Sequence, residues 1–520
     1  MAFEAVQDEK DVELDSDVDF EDPPSRIETI RFTQQLIDEI RHATLDDGKL
    51  DEQVVQHLRN PVEGSIGLSD GDIRLSLDLY MACDSASEAT YTSVRQSILR
   101  RFPDCAVLSY YNVKKLVAES SGVVSILDNM CINSCHAFIG PYTGLTACSI
   151  CGEPRYHVIC IGSTEKNVPR KQACTIPLGP QIQALRRSPR GAAAMRYRDQ
   201  KVMEVYGALN EANNNDNNFV YDDIFCGNDF LKLSEKFNLM GDDTTVLLSL
   251  DGAQLYQSKK SDMWIAIWLI LDYDPKTRYQ SKHVLPALVI PGPNKPKEID
   301  SFLFRSLHHL SAIQRENNAA GLRVWDGLQA AIISSRIFFI LGTADALGLT
   351  EIDGRVGHHG AHGCRLGCNM KGWHKPSSGH YFSAHLRPNN NPVRDCDHDD
   401  FDFQKVSAHN PSPEEYEAKL NLVSQSHDQN DYEKNRKTTG IRKPSLISAL
   451  KLSLAVPRCF TVDLMHLLCL NIGELLIPLW RGTFKCDNRT DLISSWAWAT
   501  LTGQTWEDHG RLVADREYHG

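Results

Sequence analysis

Residues 245–256 read TVLLSLDGAQLY, residues 262–274 DMWIAIWLILDYD and residues 283–293 HVLPALVIPGP. Each is an apolar, β-branched and aromatic run of strand length, closed by polar or Gly/Pro turn residues, as in successive strands of a buried sheet. A helical segment follows from Lys297 to about Gln314, and a second is expected near Gly327 to Ser335. The apolar run RIFFILGTADALG at 336–348 then reads as another strand. Three strands, helix and a further strand predict a mixed α/β sheet.

Upstream, the Asn-rich loop Asn213 to Asn218 marks a boundary. Before it, the run IPLGPQIQALRRSPRGAAAMRYRDQK at 176–201 clusters Arg186, Arg187, Arg190, Arg196, Arg198 and Lys201. Such a cluster neutralises phosphates and suggests salt-sensitive DNA binding, and a solvated helix face is the equal alternative. Further upstream stands CINSCHAFIGPYTGLTACSICGEPRYH at 131–157, whose Cys131, Cys135, Cys148 and Cys151 fall as C-x3-C and C-x2-C. Two knuckles of that spacing around a Gly/Pro turn fit a structural zinc site. The segments RIETIRFTQQLIDEIRHA at 26–43 and YTSVRQSILRRF at 91–102 carry apolar residues at helical spacing.

The 520 residues suffice for several domains, expected as 1–25 acidic tail, 26–125 helical region, 126–175 zinc module and 176–240 basic segment and linker. Next come 241–353 as the first part of the sheet core, 354–455 as an insertion, and 456–520 as a C-terminal helical part. The net charge is -13, but residues 1–25 hold ten acidic residues against one Lys, which leaves about -4 for the rest. A nearly neutral body does not exclude a polyanion partner. With no signal-like start and no apolar run of ~18 residues, the chain reads as intracellular with no membrane partner. Fifteen cysteines then read as reduced thiols and metal ligands in place of a disulfide framework.

Asp251 closes the first strand and Asp345 the later one, so that both can converge on one patch. Paired carboxylates there can hold Mg2+ for attack on a phosphodiester, although Asp-Gly is also a common turn and Asp a common helix cap. A second ligand set, His358, His359, His362, Cys364, Cys368 and His374, lies at 357–374, and His466 and Cys469 follow in DLMHLLC. The order of three strands, helix and strand matches the start of an RNase H-like core.

Taken together, CSICGEPRYH, IPLGPQIQALRRS, MRYR, LSLDGAQLY, LVIPGPNKPKEID, GTADA, HGCRLGC and VDLMHLLCLNIGELL, spread over roughly residues 75 to 485, resemble the CACTA-type (En/Spm-like) DNA transposases, the fungal branch above all. The resemblance implies an RNase H-like DDE/D nuclease that cleaves and joins DNA with Mg2+ or Mn2+, stabilised by Zn2+, nuclear, and assembled from more than one copy. On the matching positions Asp251 is the first acid, Asp345 the second and Glu474 the third, with Asp463 as the substitute. Cys364, Cys368 and His466 take the place of a zinc knuckle. The C-x3-C spacing departs from the family pattern, and family members run on further, so the resemblance also predicts a truncated chain. The competing expectation is a non-catalytic, zinc-containing DNA- or chromatin-binding remnant.

Overall fold

The computed structural model describes residues 23–514 except 65–68, 162–163, 213–218, 255–261, 365–366, 368–370, 375–380, 383–410, 464 and 485–498. Residues 1–22 of the acidic tail and, within the insertion, 383–410 with the shorter stretches just named therefore lie outside the described residues, as does Cys368.

Helix α1 (Glu28–Arg41) buries Ile30, Phe32, Leu36, Ile37 and Ile40, the face set by its three- and four-residue apolar spacing. Helices α2 (Gly71–Ala82), α3 (Glu88–Arg101) and α4 (Tyr110–Ser121) form a small unit around a tyrosine triad. In it the Tyr91 ring lies 6.4 Å from Tyr80 and 5.5 Å from Tyr110. Asp70, Ser87 and Ser109 cap the three N-termini with their side chains, and left-handed Gly122 (φ 70°) ends α4.

The core sheet takes β1 (Ile126–Asn129) and β2 (Gln172–Thr175) from around the cysteine block; helix α5 (Leu178–Arg186) follows. Then come β3 (Thr244–Gln254), β4 (Asp262–Ile270) and β5 (Val284–Pro291), the three runs read as strands in the sequence. Helix α6 (Ile299–Arg315), β6 (Ile337–Ala344), α7 (Ala346–Ile352) and β7 (Phe460–Val462) complete the layer. The spatial order is β1-β2-β5-β4-β3-β6-β7. Neighbours are antiparallel from β1 through to β3, whereas β6 runs parallel to β3 and β7 parallel to β6. The chain is thus a mixed α/β fold on a seven-stranded mixed sheet. Every residue of α6 but Arg305 and Arg315 is buried, and Val246, Leu248, Leu250 and Trp268 fill the centre of the sheet.

Two expectations need correction. Gly327 to Ser335 is not helical: Leu322–Asp326 pairs antiparallel with Ala331–Ser335 as a hairpin. The Asp326 carboxylate accepts the Leu328 and Gln329 N–H groups at 2.9 and 3.0 Å, which closes the turn locally, and β-branched Ile332 and Ile333 suit the strand. The basic run is also not a shared outer face. Arg186 and Arg198 are buried, paired with Asp326 at 3.4 Å and Asp272 at 3.1 Å respectively. Arg196 pairs with Asp242 and Asp326, Lys201 with Asp222, and Arg187 donates to the Gly64 and Ser120 carbonyls. Of the six, Arg190 alone is exposed. Of the other five, Arg186, Arg196 and Arg198 meet aspartates in or at the edge of the core, Lys201 pairs with Asp222 at the surface, and Arg187 is held by backbone carbonyls.

Candidate functional site

Each cysteine pair sits in a tight knuckle. Cys131 N–H reaches the His136 carbonyl at 3.0 Å and Cys148 N–H the Glu153 carbonyl at 2.8 Å. Both loops need a left-handed residue: Gly152 at φ 72° in the C-x2-C knuckle and Ser134 at φ 58° in the C-x3-C knuckle. The knuckles face each other, so that the ligand atoms of Cys131, Cys135, Cys148 and Cys151 all lie within 4.8 Å of one another. The Cys131 and Cys151 sulfurs are 3.4 Å apart. A tetrahedron on metal–sulfur bonds of ~2.3 Å has edges of about 3.8 Å, so the four could hold a metal ion such as zinc. Among the described residues they are the group of three or more potential ligands drawn this close.

Burial opposes ionisation of Cys151, but the Glu153 N–H and the neighbouring Cys131, Asn133 and Cys148 groups pull its thiol down to about 6. A sulfur favoured as thiolate suits a cation site. Sequence reasoning missed His136, which ties the knuckles together: its Nδ1 is 3.0 Å from the Ala137 carbonyl and its Nε2 accepts the Ser149 N–H at 3.3 Å. Burial lowers its pKa, so the ring is neutral and suited to that donor and acceptor pair. Lys171 then stitches the module to the sheet, donating to the carbonyls of Ile132 and Gly292 at 3.3 and 2.6 Å.

The acids belong to the β3, β6 and β7 side of the sheet. In the β3–β6 register Leu250 faces Ala344, and in the β6–β7 register Ala344 faces Val462. The next residues along these three parallel strands are Asp251, Asp345 and Asp463. Asp345 caps α7, its Oδ1 accepting the Leu347 and Gly348 N–H groups at 3.1 and 2.5 Å. Asp251 Oδ1 accepts the Gly252 N–H at 2.7 Å. Asp463 is held twice: Oδ1 accepts the Met465 N–H at 2.9 Å and Oδ2 lies 2.8 Å from His466 Nδ1. That hydrogen bond raises the His466 pKa, and the charges of Asp251 and Asp345 act in the same direction. Burial would raise the Asp463 carboxyl, but His466 outweighs it and holds it below the usual carboxylate value.

Asp251 and Asp345 are therefore brought onto adjacent strands, and His466 stands in their field. Glu474 lies exposed in the first turn of the helix Gly473–Trp480, beyond the π-helical stretch Met465–Ile472. The three aspartates and His466 do not reach the close spacing of the cysteines. Cys364 is half-buried, and its knuckle partner Cys368 falls outside the described residues. The signal for Asp463 was available: like Asp345, it directly follows an apolar β-prone run. No family model and no curated protein matches the chain. Among the described residues, no helix is long and apolar enough to cross a membrane.

Proposed function

We propose that the chain is an RNase H-like nuclease of the transposase kind, cleaving and joining DNA through Asp251, Asp345 and a third carboxylate. The observation that carries this reading is the row of aspartates that follows one register level on three adjacent parallel strands. The chain order supports it: three antiparallel strands, helix α6, then β6 parallel to the first strand, as expected of an RNase H-like core. For the third acid the row favours Asp463 over Glu474.

The aspartate oxygens are hard donors that fit Mg2+ or Mn2+, which when bound would activate a water or 3'-hydroxyl and stabilise the leaving oxygen. The chain's own part is orientation. Backbone N–H groups fix one oxygen each of Asp251 and Asp345, and His466 fixes Asp463. The Cys131, Cys135, Cys148 and Cys151 cluster is a structural Zn2+ site on this reading, away from the chemistry. Joining two DNA ends calls for more than one copy, acting in the nucleus.

Purified chain with Mn2+ and a pre-nicked duplex should cleave DNA, and Asp251→Ala, Asp345→Ala and Asp463→Ala should each reduce cleavage to the blank. Glu474→Ala should spare it. Cleavage unchanged by Asp251→Ala would sink the reading. That the three aspartates are not drawn as close together as the four cysteines favours a second reading, an inert DNA- or chromatin-binding remnant. That reading predicts DNA binding with no cleavage in any variant.

A further inference from the structure

We infer that the three-helix unit α2–α4 carries a binding surface for duplex DNA on the C-terminal end of α3 and the outer face of α4. This inference rests on the DNA reading above and places the contact surface away from the basic run 176–201. A protein that binds a polyanion needs cations free to meet it, and five of the six cations of the run 176–201 are engaged by aspartates or backbone carbonyls.

Charge within the unit is divided. Asp70, Asp72, Asp78, Asp84 and Glu88 lie on α2 and its flanks, with Arg74 among them. From Arg95 to Glu119 the balance reverses, with five cations against Asp104 and Glu119. Arg100, Arg101, Lys114 and Lys115 are exposed, Lys115 in a solvent-facing pair with Glu119 at 3.7 Å that a phosphate can replace, and Arg95 is tied to the Val107 carbonyl at 2.9 Å. Two aromatics stand among these cations in solvent: Tyr111 is 74% and Phe102 52% exposed, with the Arg101 guanidinium 4.8 Å from the Phe102 ring centroid. Large aromatics bare beside cations fit a backbone-tracking contact, since cations take the phosphates and rings pack on sugars or base edges. The tyrosine triad packs the three helices against one another, with Tyr91 and Val113 buried between them. Small helical units of this size commonly present one helix to a groove.

The test uses the full chain and a labelled random-sequence duplex in buffer without Mg2+ or Mn2+, so that cleavage does not intervene. Combined Arg100→Ala, Arg101→Ala, Lys114→Ala and Lys115→Ala should weaken binding at least tenfold. It should also reduce the slope of log affinity against log salt by roughly three to four. Arg100→Lys with Arg101→Lys should keep most of the affinity, and matching melting curves establish that each variant is folded. Unchanged affinity and slope in a folded quadruple variant overturn the inference. So does a loss confined to an RNA duplex or an acidic peptide probe. The parent chain itself separates the two readings: intact duplex binding with no cleavage once Mn2+ is added sinks the nuclease reading alone.

Discussion

At the scale of single residues the fold depends on a few charges placed where water does not reach. Asp326 has no solvent exposure and serves both Arg186 and Arg196 while closing the hairpin turn. Asp326→Ala would take from buried Arg186 the carboxylate it contacts directly, leaving Asp272 as its nearby counter-charge, and we expect a loss of about 3–5 kcal/mol in urea unfolding. Asp326→Asn should keep the turn bonds yet lose much of the same stability, which separates charge from turn geometry. Gly292 is constrained differently. A Cβ there would sit 1.8 Å from the Asp262 carbonyl oxygen, on backbone that cannot swing aside. Gly292→Ala should therefore force the ends of β4 and β5 apart, at a cost of at least about 1–3 kcal/mol by the same measurement.

At the scale of elements the cysteine module is joined to the most buried helix of the core. The Cys135 carbonyl accepts the N–H groups of Lys297 and Glu298 at 3.2 and 2.9 Å, and the Ala137 N–H reaches the Ser301 hydroxyl at 2.9 Å. These contacts fix the entry into α6, so metal binding should stabilise that entry along with the knuckles. We expect Cys148→Ser to lose bound zinc, measured as metal per chain, and to speed hydrogen exchange at the Lys297 and Glu298 amides more than at β3. Equal exchange in both chains would show the module to be independent. The same elements show what was legible beforehand. The runs 245–256, 262–274 and 283–293 announced strands because burial on both faces forces apolar, β-rich sequence. The knuckles announced themselves because four thiols must reach one point. The hairpin at 322–335 did not, since its register rests on the Asp326 turn, a local bond with no periodic trace. The basic run misled because composition does not say whether an arginine faces water or a buried aspartate. Asp463 follows an apolar run too short to single it out, a strand of three residues, and its place in the row depends on a pairing 118 residues away in sequence.

At the scale of the whole molecule, two neighbouring histidines at the centre of α6 link stability to pH. His309 is buried, and its Nε2 accepts the Gly179 N–H at the start of α5 at 3.0 Å. Burial pushes its pKa down to about 3, with the adjacent His308 acting in the same direction. His308 is itself pushed down to about 4 by burial, against the pull of Asp47 and with the Lys49 and Arg305 charges adding to the drop. In the unfolded chain both rings take up a proton near their ordinary value of 6.5. Between pH 6.5 and about 3 the unfolded state therefore binds more protons than the folded one, so stability falls as pH falls through that window. The contribution is fully present above pH 6.5. Asp272, whose pKa burial raises against the pull of Arg198, works in the opposite sense. The His309 share is isolated by comparing the parent chain with His309→Gln, whose side-chain oxygen can still accept from Gly179. Urea midpoints of the parent should drop steadily from pH 6.5 to 4, and those of His309→Gln should drop less. Parallel curves for the two chains would assign the acid sensitivity to His308 and the carboxylates instead.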